Sequence, residues 1–325
     1  MSDYKAITTY LFGLQRFGIK LGLDNIKALL NAIGNPQNKW QSIHIAGTNG
    51  KGSTAAMLES ILIEAGYRVG LYTSPHLVDF TERIRINRAT IPQNEVIEFT
   101  LKIKPLVEQI QPSFFEVTTA MAFWYFAKEK IDLAILETGL GGRLDSTNVV
   151  NPLITAITPI DFDHQKYLGN TIEKIAQEKA GVLKPGVPCV TNNRNKRICE
   201  VIRNKCADAG AKYINIFDVC FLQINSSNLE GISFDFRYSN FSLKNLALNL
   251  CGEYQVDNAA LALGTVLNLK NKINITEKNI YDGLKDVLWR GRIDLVSRKP
   301  NIVIDVSHNS SGFEKTLSFI NQIFP

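Results

Sequence analysis

Ile43-His44-Ile45-Ala46-Gly47-Thr48-Asn49-Gly50-Lys51-Gly52-Ser53-Thr54 is the stretch that decides the fold. Ile43 to Ala46 reads as a buried strand ending at Gly47, and Thr54 to Ala65 as a helix stopped by Gly66. Between them, the glycines let backbone N–H groups turn inward around phosphate oxygens. The helix that follows adds the positive end of its dipole. Lys51 has the reach to meet β- and γ-phosphates, and Ser53 or Thr54 offers a hydroxyl to Mg²⁺. The strict GxxxxGK[ST] pattern is not met: Ile45 stands where its first Gly belongs, and Gly52 separates Lys51 from Ser53. A glycine turn that only joins strand to helix is the plain alternative. The coincidence of lysine, hydroxyls and strand–loop–helix context favours a nucleotide loop.

Outward from the loop, apolar runs alternate with helical patterns. Val69–Tyr72, Ile131–Leu136, Ile154–Ile160 and Val187–Thr191 read as strands, and Val117–Lys128 as a helix. This order predicts an α/β fold: a mostly parallel sheet with helices on both faces. Tyr4 to Asn35 reads as helical. Ile232, Phe234, Phe236 and Tyr238 alternate with polar residues, so Tyr213 to Leu250 is expected to hold a small antiparallel β section appended to the parallel sheet. Asp257–Leu269 returns to helix, Arg290-Gly291-Arg292 marks a hinge, and Asn301–Val306 is a strand before a helix over Gly312–Ile323. One strand and one helix cannot bury a core alone. The expectation is therefore a central ATP-binding domain over 1–292. Residues 293–325 would be only the first βα unit of a second, Rossmann-like domain whose remainder is absent.

Composition narrows the class. The chain has 325 residues, 45% apolar and 21% charged, an ordinary globular profile that excludes wholesale disorder. The net charge of +5 is too small and dispersed for nucleic acid to be the main partner. No basic region precedes a long apolar run at the N-terminus, and no apolar stretch suits a membrane span. The five cysteines form no CxxC pair, so free thiols in a reducing cytoplasm are expected.

Two more strand ends carry chemistry. Glu137 follows the apolar run Ile131–Leu136, and Asp161, Asp163 and His164 follow Ile154–Ile160. Ligands of open α/β sheets gather at the carboxyl ends of strands. A carboxylate there, beside a phosphate loop, can hold Mg²⁺. Each residue alone reads as an ordinary loop residue; together with Lys51 and Ser53 they suggest a metal–nucleotide site.

Several motifs occur in order: GTNGKGST (47–54), TSPHL (73–77), ERIRIN (82–87), ETGLGGRLDSTN (137–148), DFDH (161–164), EKAG (178–181), DNAALA (257–262), RGR (290–292) and DVSHN (305–309). In these the chain resembles folylpolyglutamate synthase and its bifunctional bacterial form, which is also dihydrofolate synthase, enzymes similar to the Mur ligases. The resemblance implies an ATP-dependent amide ligase that joins L-glutamate to a pteroate or folate carboxylate. By position it implies that Thr48, Asn49, Gly50, Lys51, Gly52, Ser53 and Thr54 cradle ATP, with Lys51 on its phosphates and Ser53 on Mg²⁺. Glu137 and His164 resemble ligands of a second Mg²⁺, and Lys179 matches a lysine that the family carbamylates. Asn258, Arg292, Asp305 and His308 match residues that bind ATP from the hinge and second domain. Ser74, Pro75 and His76 fall in the folate-side Ω loop. A cytoplasmic monomer acting on small molecules is expected, with no nucleic-acid or membrane partner.

Chemically, ATP converts a carboxylate into an acyl phosphate, and the glutamate amine displaces phosphate. Lys51, Lys179 and His164 are the expected catalytic side chains. The family has a complete second domain, whereas here the chain ends 33 residues after Arg292, since 325 − 292 = 33. Glutamate binding and part of the closure over ATP are therefore expected from a missing segment. Smaller departures are Val306-Ser307, where the family often has Gly-Ala, and Arg290, where Pro is common. Two alternatives follow: a non-catalytic remnant that binds nucleotide or folate, and a Mur-type ligase of peptidoglycan precursors. The few residues before the phosphate loop leave no room for the UDP-binding domain of the latter.

Overall fold

The alternation of Ile43, His44 and Ile45 sorts the core into two sides. In the computed structural model, which describes residues 3–18, 20 and 22–324, these residues lie in β1 (Gln41–Ala46). Ile43 and Ile45 join Leu133 and Ile135 in one apolar cluster, while Ala134 and Leu136 belong to another on the opposite face. The period of two thus feeds two cores, as a doubly covered sheet requires.

The sheet comprises β1, β2 (Val69–Tyr72), β3 (Ile84–Ile86), β4 (Ala89–Thr90), β5 (Leu133–Glu137), β6 (Ile154–Ile157), β7 (Cys189–Thr191) and β8 (Tyr213–Asn215). Their spatial order is β4-β3-β2-β5-β1-β6-β7-β8. From β2 to β8 every pairing is parallel; β3 and β4 add an antiparallel edge. β1 sits between β5 and β6, so the ends of these three strands share one edge, where ligands of open sheets bind.

One face is covered by the helices Lys51–Glu64, Tyr254–Leu267 and Glu277–Lys285, together with a second sheet. That sheet holds β9 (Cys220–Asn228), β10 (Gly231–Tyr238) and β11 (Phe241–Leu248), all antiparallel. The other face carries Tyr4–Gly13, Asp24–Ala32, Gln93–Ile110 and Phe114–Lys128 around Phe99, Phe123 and Phe126. A third cluster packs the helices Ile172–Ala180 and Lys196–Asp208 against Ile157 and Cys189.

Four sequence expectations change. The antiparallel section is a separate sheet, and Tyr213–Asn215 is instead the eighth strand of the main one. The N-terminal helical run is broken by a 3-10 turn over Leu14–Phe17 and by Gly18, whose φ of 67° suits glycine far better than other residues. The strand expected to reach Ile160 stops at Ile157, just before Pro159, which has no N–H for a ladder. The C-terminal segment opens with a hairpin: β12 (Asp294–Arg298) pairs antiparallel with β13 (Asn301–Ile304), and the helix Ser310–Ile323 follows. Cys251, Ile293 and Phe319 form the small cluster beneath it.

One close approach tests this packing. A Cβ on Gly283 would lie 2.5 Å from the Ile61 Cα and 2.7 Å from its backbone nitrogen. Backbone cannot yield as a side chain can, so the helix Glu277–Lys285 requires glycine where it crosses Lys51–Glu64. Gly283→Ala is expected to lose about 1–3 kcal/mol despite the better helix propensity of alanine. Denaturant midpoints of the two proteins check this; an unchanged or raised midpoint contradicts the packing.

Candidate functional site

The loop after β1 is held open from outside. Gly47, at φ 142°, lies against Thr158, whose Oγ1 would be 1.9 Å from an added Cβ. Gly50, at φ 86°, caps the helix Lys51–Glu64 and lies under Asn258, whose Oδ1 would be 2.3 Å from its Cβ. Thr48 and Asn49 donate their backbone N–H groups to the Pro159 carbonyl at 2.9 and 3.2 Å. The Thr48 Oγ1 donates to the Asp161 carbonyl at 3.2 Å. These two amides therefore hold the loop to the end of β6 rather than facing an anion. The amides without intrahelical acceptors are those of the first helical turn, Lys51, Gly52 and Ser53. The Ser53 and Thr54 side chains are buried there, and the Thr54 Oγ1 has no hydrogen-bond partner.

Three charged groups converge beside this turn. Lys51 Nζ donates to the Thr48 carbonyl at 3.1 Å and stands 3.8 Å from Glu137 Oε1. Glu137, at the end of β5, also accepts the Ser74 N–H at 3.4 Å. Burial pushes its carboxyl pKa up, opposed by the Lys51 ammonium, the Ser74 N–H and Arg292. Lys179, 3% exposed near the end of Ile172–Ala180, donates from Nζ to the Gly47 carbonyl at 2.7 Å. Burial and the Lys51 charge lower its pKa to about 7, against the pull of Asp163 and Asp145. A lysine so placed is neutral in a large fraction of molecules near neutral pH and has a free lone pair.

The other expected residues divide between two openings. Asn49, Gly50, Ser53, Asn258 and Arg292 line a narrow crevice of about 40 Å³ between the loop and the C-terminal segment. Asn49 and Asn309 exchange side-chain amide bonds across it, at 3.4 and 2.8 Å. Tyr254 and Lys315 also line it; neither stood out in the sequence. Asp305 and His308 lie outside this lining. Asp305 instead accepts the N–H groups of Ile293 and Ser307 at 3.0 and 2.8 Å, tying the hairpin to the turn that follows it. His308 is exposed, its Nδ1 3.3 Å from the Val306 carbonyl.

Ser74, Pro75 and His164 border a larger cavity of about 480 Å³ with Phe114, Phe115 and Tyr167. His164 takes φ 47°, and its ring lies 3.7 Å from Asp163. His76 turns aside: its Nδ1 accepts the Arg83 Nε–H at 2.7 Å. Burial and the Arg83 charge lower its pKa. Asp145 also borders this cavity, a residue that sequence reasoning passed over. Its carboxylate accepts the N–H groups of Gly139, Leu140 and Thr147 and the Thr147 hydroxyl, at 2.9, 2.8, 2.9 and 2.5 Å. It thereby folds the glycine-rich turn after β5 into the cavity wall. Its position at the end of a GLGGRLD run was the available signal. Among the described residues, no group of three or more His, Cys, Asp or Glu side chains is gathered as a metal cage.

This geometry has known counterparts. Residues 45–266 match the Mur ligase middle domain family. The chain is 40% identical over 330 residues to the dihydrofolate synthase/folylpolyglutamate synthase of Bacillus subtilis, an alignment covering 99% of this chain and 77% of that protein. A solved folylpolyglutamate synthase of Thermotoga maritima is 38% identical, with a TM-score of 0.90 over 99% of this chain and 75% of that one. A solved complex of folylpolyglutamate synthase with AMPPCP and folate is 33% identical, with a TM-score of 0.92 over 99% of this chain and 81% of that one. In sequence and in fold, the chain belongs to the dihydrofolate synthase/folylpolyglutamate synthase family of Mur-type ligases.

Proposed function

We propose that this protein uses ATP to join L-glutamate to the carboxylate of a pteroate or folate through an acyl phosphate. The observation that carries the reading is the convergence of Lys51, Glu137 and Lys179 at one sheet edge, with Ser74 linking Glu137 to the aromatic-walled cavity. ATP phosphates seat on the first turn of Lys51–Glu64, and the acceptor acid occupies the cavity. Asn258 and Arg292 approach the nucleotide from the crevice, while Asp305 and His308 act from the segment 293–325. That segment belongs to a second domain, the ATP-binding domain being 1–292.

The donor set suits Mg²⁺: the Glu137 carboxylate and Ser53 hydroxyl are hard oxygens at a phosphate-binding turn, and Mg²⁺ completes its shell with water and phosphate rather than a protein cage. Ser53 would hold one ion, and Glu137 and His164 would hold a second. Bound there, Mg²⁺ neutralises phosphate charge. Lys51 neutralises charge on the transferred phosphoryl group. The buried walls keep water from the acyl phosphate. Lys179 in its neutral form can add CO₂: an N–C bond forms, a proton leaves, and an anionic carbamate replaces a cation beside the metal ligands.

The direct test is ADP release by the purified chain with Mg-ATP, L-glutamate and dihydropteroate or tetrahydrofolate. ADP should appear only when acceptor and glutamate are both present. Lys51→Ala should lower the rate about 10²–10³-fold, the scale for losing one charge-stabilising donor. No glutamate-dependent ADP from wild type refutes a ligase that acts with residues 1–325 alone, and absence of AMPPCP binding by titration calorimetry refutes the ATP-using reading itself.

Lys179 gives a second test. Its folded pKa of about 7 lies below the ordinary 10.5, so the unfolded state binds more protons between these values. In CO₂-free buffer, wild-type stability should rise relative to Lys179→Met from pH 7 to 10, with a constant gap below pH 7. Thermal midpoints against pH measure this, and parallel curves across the window would refute a buried neutral lysine.

A further inference from the structure

The larger cavity contains a cation whose bonding is incomplete. Arg83 ends the 3-10 turn Phe80–Arg83, is 8% exposed, and borders the cavity beside Ser74. Its Nε–H is used by His76, and its guanidinium lies 5.2 Å from the centre of the Phe114 ring. Among the described residues, no carboxylate forms an ion pair with it, and neither Nη nitrogen has a hydrogen-bond acceptor.

The acids around it are committed elsewhere. Glu82 accepts the N–H groups of Leu77, Val78 and Asp79 at 2.7, 3.0 and 2.7 Å. Asp79 accepts the Tyr4 hydroxyl at 3.0 Å and both donors of Thr81 at 2.9 and 2.6 Å. Asp145 is filled by the turn after β5, and Glu137 faces Lys51 and Ser74. Arginine does not shed its proton inside proteins, so burial without an anion carries an uncompensated desolvation cost. Such a cost is offset when the site takes an anion from solution. The same cavity has Lys20 on its border and aromatic walls in Phe114, Phe115 and Tyr167. Its chemistry suits a flat conjugated acid whose carboxylate ends at the Ser74 side, next to Glu137.

The geometry points to Arg83 as the receptor for the acceptor's carboxylate, with the Nη nitrogens of its guanidinium holding the acid at the Glu137 edge. This assignment rests on the acceptor reading above and adds the residue that recognises the acid. Carboxylate oxygens have about four acceptor sites between them, so a fork of two N–H bonds leaves lone pairs for attack on phosphorus.

Titration calorimetry of the full chain with dihydropteroate, and with the carboxamide in which its carboxylate is replaced, tests this. Wild type should bind the acid at least about tenfold more tightly than the amide. Arg83→Gln should weaken acid binding about 10- to 100-fold and bring the two affinities together, with AMPPCP affinity unchanged as the measure of an intact fold. Should Arg83→Gln not fold, Arg83→Lys, which keeps the charge and loses the fork, should show a smaller acid preference than wild type. Undiminished preference for the acid in folded Arg83→Gln or Arg83→Lys overturns the assignment alone. Failure of wild type to bind either compound overturns the acceptor reading and this assignment with it.

Discussion

A carboxylate buried at the end of a parallel strand needs compensation that the strand itself cannot give. Glu137 is 5% exposed, and its burial raises its pKa. The Lys51 ammonium and the Ser74 N–H oppose that rise, and each comes from a different connection. Lys51 arrives from the loop after β1 and Ser74 from the loop after β2. The stabilisation of the buried Glu137 carboxyl therefore joins the phosphate loop, the central strand end and the wall of the large cavity. Lys179 shows the opposite solution. Its nearest counterpart is a carbonyl, at Gly47, and its pKa falls instead. Two lysines at one edge thus take different roles, one paired with a carboxylate and one, its pKa lowered, hydrogen-bonded to a carbonyl.

The strands β2, β5, β1, β6 and β7 were legible because they are short apolar runs, as burial on both faces demands, whereas the edge strands β3, β4 and β8 were not. Val69–Tyr72 has the same bounds in sequence and structure. The strand over Asp294–Arg298 was not legible: DLVSR is half polar and half exposed, so it carries neither an apolar run nor a clean alternation. The helix Gln93–Ile110 was passed over too, although Val96, Phe99, Ile103 and Val107 fall at spacings of three and four, because Pro105 interrupts the pattern.

At the site, the glycine–lysine loop could be read because its residue types are rare together. Arg83 gave no such signal and Asp145 only its place at the end of the glycine-rich GLGGRLD run, since a charged residue in a loop normally faces solvent. What marks them is burial combined with the state of their hydrogen bonds: Asp145 has its acceptors filled and Arg83 retains unfilled donors. The burial arises only when distant segments meet, whereas the Asp145 bonds come from its own turn. The motif of Asp305 suggested contact with a ligand, and the structure adds what the motif does not show, that each of its oxygens accepts one backbone amide of its own segment.

The crevice between the loop and the C-terminal segment constrains how a nucleotide can enter. At about 40 Å³ it is several-fold smaller than the ~300 Å³ at which small-molecule sites begin. The amide pair between Asn49 and Asn309 spans it, and Asn309 also caps the helix Ser310–Ile323 through the Gly312 N–H at 2.9 Å. On the nucleotide reading, that pair must part before phosphates reach the first turn of Lys51–Glu64. The opposing adhesion is modest: Cys251, Ile293 and Phe319 are the buried residues of the cluster beneath the hairpin and helix. Half-buried neutral amide bonds such as these contribute about 1 kcal/mol each, an amount that charge-assisted bonds from Lys51 and Arg292 to phosphate exceed. The same residues that close the crevice in the free protein can then close it around phosphate. The segment is held by that small apolar cluster, the neutral amide pair, the exposed Arg298–Glu230 ion pair and the exposed Gln322–Glu253 bond, each of them individually weak.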